Sequence, residues 1–152
     1  MLKRLITCDF LPENQDAGLL ALRVIGAVSL LLKHGLEKVE HFGMMAAHFP
    51  DPLHLGAVPS LAIALIADFA CSILIVLGLA TRWAAAWSIL TLLTAWASVH
   101  HFIFFGEGAD HGELIVLYLA AMLTLLLAGP GKYSVDATLR KSMWAPRCRR
   151  PE

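Results

Sequence analysis

The sequence predicts an all-α, polytopic membrane protein built as a four-transmembrane-helix bundle. Three observations carry that expectation. Of 152 residues, 58% are hydrophobic and 16% charged, against roughly half and a quarter in soluble domains. Mean hydropathy is +0.68, and the apolar residues fall in blocks close to the length that crosses about 30 Å of hydrocarbon. Lysine and arginine gather on one side of those blocks, although the formal net charge is zero.

Residues 1–16 read as a short N-terminal segment, closed by Pro12 and by Asn14-Gln15-Asp16 as a helix cap. The expected spans are 17–35, 59–79, 83–105 and 113–128, followed by a basic tail over 129–152, all in one domain. The first span continues as a polar helical extension to about Phe42. A connector from Gly43 to Val58 carries Pro50, Pro52 and Gly56 and reads as a loop on the membrane surface. Pro59 suits the first turn of the second span. Gly78 precedes a tight turn at Ala80-Thr81-Arg82. An acidic turn with Glu107, Asp110 and His111 joins the third and fourth spans, and Gly129-Pro130-Gly131 stops the fourth.

Lys3, Arg4, Arg82 and the tail residues Lys132, Arg140, Lys141, Arg147, Arg149 and Arg150 all lie on one side. The positive-inside rule therefore predicts that both termini and the Arg82 turn are cytoplasmic. Asp9, Glu13 and Asp16 interrupt the early sequence, which argues against a cleaved secretory signal. The expected location is a bacterial inner membrane, crossed several times.

The first span carries the polar signal. At 100° per residue His34 falls about 20° from Arg23, Glu37 about 40° to one side, Lys38 about 60° to the other, and His41 back near zero. Arg23 sits inside an apolar run, where a charge is costly unless it is paired. Asp68 lies about 14 Å into the second span, so an Arg23–Asp68 pair is expected to neutralise both. On the third span Thr91, Thr94, Ser98 and His101 form a polar line, with Ile89, Leu92, Leu93 and Trp96 turned outward. His100 points about 100° from His101. Glu113 opens the fourth span, where a carboxylate complements the helix dipole.

His34, Glu37, Lys38, His41, His100, His101, His111 and Glu113 thus converge at one end, with Arg23 and Asp68 beneath them. That pattern predicts a polar pocket open to the outer side. Arg23, Asp68 and His101 are the expected catalytic groups, since His and carboxylates in a dry site exchange protons. His34, Glu37, Lys38, His100 and Glu113 are the expected substrate-binding groups. The histidine spacings match no metal-site pattern, so no metal is expected. Cys8, Cys71 and Cys148 are far apart and form no CxxC pair. No phosphate loop, Ser/His/Asp set or nucleic-acid surface is present. The basic tail reads as an orientation and lipid-contact signal.

LRVIGAVSLLLKHGLEK, with Arg23, Gly35 and Lys38 in place, is followed by DFACSILIVLGLATRW (Asp68 to Trp83). The His100-His101 pair and GPGKYSVDATL (Gly129 to Leu139) complete the set. In that order the pieces resemble the DoxX family of small four-helix membrane proteins, over roughly residues 17–140. The family often has Glu where this chain has Asp68. The resemblance implies a place in membrane oxidoreductase complexes, such as thiosulfate–quinone oxidoreductase subunits, with a quinone as the expected cofactor. It implies membrane lipids and a redox partner subunit as partners; a homodimer is plausible for so small a bundle. The disulfide-forming chemistry of related quinone-coupled proteins does not carry over, because the cysteine pairs are missing. Two other functions fit the residues: a small-solute or ion transporter, and a non-catalytic membrane assembly subunit. The spans lack the Gly/Pro interruptions and inverted repeats typical of transporters.

Overall fold

The computed structural model describes residues 13–103 and 112–144. The expectations for Cys8, Cys148, the 104–111 turn with His111, and the ends of the chain lie outside those residues. Six helices appear among the described residues: α1 (Gln15–Glu40), α2 (Phe42–Met45), α3 (Ala57–Leu77), α4 (Thr81–Ser98), α5 (Gly112–Ala128) and α6 (Val135–Trp144). α1 and α3 are long and apolar enough to cross a membrane, and α5 is a shorter apolar helix.

α1 packs on α3 and α5, and α4 packs on the same two. Ala27, Leu30, Cys71, Ile75, Ala84, Ala85, Tyr118, Met122 and Leu125 form the common core. Its small members, with the buried Ser72 and Ser88, let neighbouring helices approach closely, as membrane-type packing requires. Ile89 and Leu92 pack against this core, so the outward position expected of them is corrected. Of the other two residues expected to turn outward, Leu93 is exposed and Trp96 is half-buried.

The caps follow the sequence. Asn14 Oδ1 accepts from the Ala17 amide at 3.0 Å and starts α1. Gly78 ends α3 at φ +71°, and Gly129 follows α5 at φ +82°, both in the left-handed region that favours glycine. α4 differs from its expected span. It ends at Ser98, and the chain then turns, with His101 at φ +46° and Phe102 at φ +58°. The two histidines therefore sit in a turn, and His101 leaves the line of Thr91, Thr94 and Ser98.

Residues 129–144 are part of the fold and not a free tail. Asp136 accepts the Ala80 and Thr81 amides at 2.8 and 3.0 Å. It caps α4 from a distant part of the chain, where Ala80 itself offers no capping side chain. Lys132 binds Asp16 twice, through its amide and its ammonium, each at 2.9 Å.

The α2–α3 loop is held by Asp51. Its carboxylate accepts the Ser60 hydroxyl at 2.7 Å and the Gly56 and Leu55 amides at 2.7 and 3.0 Å. The Ser60 bond above all, with the two amides, holds the Asp51 carboxyl below its ordinary value near 3.8. A lowered folded value adds stability that is fully present above pH 3.8 and is lost as the pH falls through the lowered value. The protection of the Leu55 and Gly56 amides against exchange, relative to their intrinsic rate at each pH, should therefore be high above that pH and fall on acidification. In Asp51→Ala the protection should be low at every pH.

Candidate functional site

α1 carries ionisable groups that separate to two ends of the molecule. Near its start, Arg23 is 2% exposed. Its guanidinium donates to the Pro130 carbonyl at 3.2 Å and to the Tyr133 carbonyl at 2.7 Å. Gly78 lies directly against it. A β-carbon there would collide with the guanidinium and with Ser134. Only glycine leaves room for this grip, and only glycine takes the backbone angle without strain.

Asp68 is elsewhere. It stands ten residues before Gly78 on α3, a rise of about 15 Å, which an arginine side chain does not span. Its partner is Lys38, whose ammonium donates to Asp68 Oδ2 at 2.8 Å. The expected Arg23–Asp68 pair is thus replaced by two separate arrangements. The physical reason is depth along the helices, since Arg23 lies level with Gly78 at the end of α3. Leu31–Gly35 is a π-helical turn, which takes in an extra residue, so an angular count made at 100° per residue slips there. The stripe read from periodicity breaks between Arg23 and Lys38.

The Lys38–Asp68 pair is built by two such turns. The π-helical turn of α1 packs against a second one in α3, Ile66–Cys71. Gly35 makes the contact possible: a β-carbon on it would lie 2.6 Å from the Asp68 carbonyl oxygen. With the backbones this close, the two side chains meet at 13% exposure each. The Lys38 ammonium also reaches the His34 carbonyl at 3.4 Å. The His34 ring meets the Tyr118 ring edge-on, 6.2 Å between centroids at 83°. The Tyr118 hydroxyl shares a 2.8 Å hydrogen bond with Ser29. His34, Lys38, Asp68 and Tyr118 form one polar seam between the helices, with Ser29 at its exposed edge. π-helical turns occur preferentially at functional sites, and an intramembrane ion pair is costly without a purpose.

The structure brings together His34, Lys38 and Asp68 of the expected residues. Glu37 is exposed on α1, His41 is exposed in the turn between α1 and α2, Glu113 is exposed in the first turn of α5, and His101 is exposed in its turn. His100 is half-buried in that turn. Among the described residues no three His, Cys, Asp or Glu side chains assemble as a metal set. An apolar cleft of about 200 Å³ lies between α3, α4 and the α2–α3 loop, with Phe49, Leu53, Trp87 and Thr94 in its walls. Thr91, Thr94 and Ser98 line it, and each donates its hydroxyl proton back to its own helix. Tyr118 was missed by sequence reasoning. Its signal was one phenol in the apolar run LIVLYLAAMLTLLLA. The carbonyls of Pro130 and Tyr133 carry no side-chain signal.

Removing one charge of the Lys38–Asp68 pair strands the other. Lys38→Met or Asp68→Leu should each cost about 3 kcal/mol or more, and the double substitution should recover most of that loss. Arg23→Met and Asp68→Asn, being far apart, should add within about 0.5 kcal/mol. Gly78→Ala should cost roughly 1–3 kcal/mol from backbone strain alone. Denaturant unfolding in detergent micelles measures all three.

A protein-family model described as DoxX matches residues 18–101, more than half of the chain. The match takes in Arg23, Gly35, Lys38 and Asp68. No curated protein and no solved structure matches the chain.

Proposed function

The chain belongs to the DoxX family, and from that membership and the Lys38–Asp68 geometry we propose a multi-pass inner-membrane protein that interacts with quinone, as an oxidoreductase or as a subunit of one. α1, α3, α4 and α5 are its four spans. Both termini lie in the cytoplasm, on the side of Arg82, Lys132, Arg140 and Lys141, a bias that the positive-inside rule supports.

The observation that carries the redox reading is the ion pair at 2.8 Å between two packed π-helical turns. In a poorly hydrated site a carboxylate and an ammonium stay charged only by virtue of each other. A hydroxyl entering the seam can donate to the Asp68 carboxylate, which Lys38 holds in place. The donor set fits a quinone headgroup. Lys38 and Tyr118 offer N–H and O–H to carbonyl oxygens, and Asp68 accepts from ring hydroxyls. A bound quinone supplies two-electron chemistry coupled to protons. The chain's own residues hold the ring and move the protons: Asp68 exchanges them, Lys38 fixes its carboxylate, and His34 sits alongside. Glu37, His100, His101 and Glu113 supply ionisable groups toward water. Arg23 acts as a positioning residue for the C-terminal segment. Electrons come from a partner subunit or from a further bound cofactor, since the sequence carries no CxxC motif.

One feature favours a second reading, that of an assembly subunit. The Lys38–Asp68 pair joins α1 to α3, and a bridge between helices needs no chemistry.

The two readings separate on one experiment. Quinone extracted from purified wild type and variants is quantified, and quinone-dependent turnover of membranes is followed across pH. Asp68→Asn should lose quinone and turnover, and Asp68→Glu should keep both. The swapped pair Lys38→Asp with Asp68→Lys should restore unfolding stability without restoring turnover. Wild type carrying no quinone, or a swap that restores everything, leaves only the assembly reading.

A further inference from the structure

The end of the molecule that holds Arg82 and α6 contains a polar cleft of about 240 Å³. Asp16, Arg82, Lys132 and Arg140 supply its charged walls, and Gly129, Pro130 and Gly131 form part of its backbone. The ledger of charge is uneven. Lys132 is matched by Asp16 at 2.9 Å, so Arg82 and Arg140 leave the cleft with two positive charges. Arg82 is held in place by one N–H donated to the Leu127 carbonyl at 3.1 Å. A guanidinium has further N–H groups in a planar fork that suits a phosphate.

A second observation, independent of the cleft, lies next to it. Val135, Leu139 and Met143 recur every four residues along α6 and so share one face. They are 40, 44 and 74% exposed, and no described part of the protein covers them. The helix is not loose: Asp136 ties its first turn to the start of α4. Trp83, next to Arg82, is 83% exposed, as is usual for a tryptophan at the membrane–water boundary. An apolar stripe flanked by Arg140 and Lys141 at that level matches the chemistry of a headgroup region.

We propose that this end of the protein is a binding site for an anionic phospholipid. The phosphate sits in the cleft between Arg82 and Arg140, and the glycerol and upper acyl chain run along Val135, Leu139 and Met143. A free anion would satisfy the arginines and leave the stripe uncovered, whereas a lipid satisfies both. The site lies at the opposite end from the Lys38–Asp68 seam and stands whether or not the redox reading holds.

The full chain, purified and delipidated in a neutral detergent, is titrated with phosphatidylglycerol, phosphatidylcholine and inorganic phosphate. Binding is read by native mass spectrometry and by the shift in thermal unfolding. Phosphatidylglycerol should bind and raise the unfolding temperature, and added salt should weaken it. Arg82→Gln and Arg140→Gln should each weaken binding about fivefold. Met143→Ser, at a position 74% exposed among the described residues, should weaken it and leave the salt dependence unchanged. Equal binding of phosphatidylcholine, the same shift from inorganic phosphate, or unaltered affinity in Arg140→Gln would each overturn the assignment.

Discussion

A guanidinium that is 2% exposed in an apolar helix packing must find oxygens, and Arg23 finds them in two main-chain carbonyls. Pro130 and Tyr133 are more than a hundred residues away in sequence, so satisfying one side chain fixes the path of the whole segment after α5. That segment then carries Asp136 to the start of α4 and Lys132 to the start of α1. Glycine at 78 follows from the same constraint, because any side chain there would occupy the space of the guanidinium. The two terminal nitrogens thus find carbonyls, with the buried Nε left unpartnered among the described residues, and three stretches of chain are tied together. This is a common solution where water is absent: a buried ionic group becomes tolerable when backbone dipoles are turned toward it.

The second charged contact is of another kind. Lys38 and Asp68 meet across two helices whose backbones both bulge at the same height. Glycine at 35 lets those backbones touch, and the extra residue in each turn re-aims the side chains that follow. The result is a charged pair beside His34 and Tyr118 in otherwise apolar surroundings. Arg23 is spent on structure. The Lys38–Asp68 pair sits in a seam that takes in the buried Tyr118, whose hydroxyl bonds to Ser29 at the exposed edge of α1.

Much of the fold was legible in the residues. Asn14 announces the start of α1, Gly78 the end of α3, and Gly129-Pro130-Gly131 the end of α5, each through a local rule of capping or backbone geometry. The third span was read too long. Residues 99–103 are apolar apart from the two histidines, so composition alone gives no stop, and the turn is made by backbone angles that ordinary residues seldom adopt. The candidate site was legible in its members and not in its pairing. His34, Lys38 and Asp68 stand out as ionisable groups in apolar runs. Which cation meets Asp68 depended on the depth at which Arg23 packs, level with Gly78, and on a π-helical turn before Lys38 that periodicity does not announce.

The sequence by itself determined the all-α class, the apolar helices, the residues that would have to be neutralised and the clustering of basic charge at one end, because hydrophobic length and side-chain chemistry act locally. The tertiary structure alone decided that Arg23 grips carbonyls of the C-terminal segment and that Asp68 belongs to Lys38. Partners for a buried charge are selected by distance across neighbouring helices, and a single extra residue in a helical turn moves a side chain to a different neighbour.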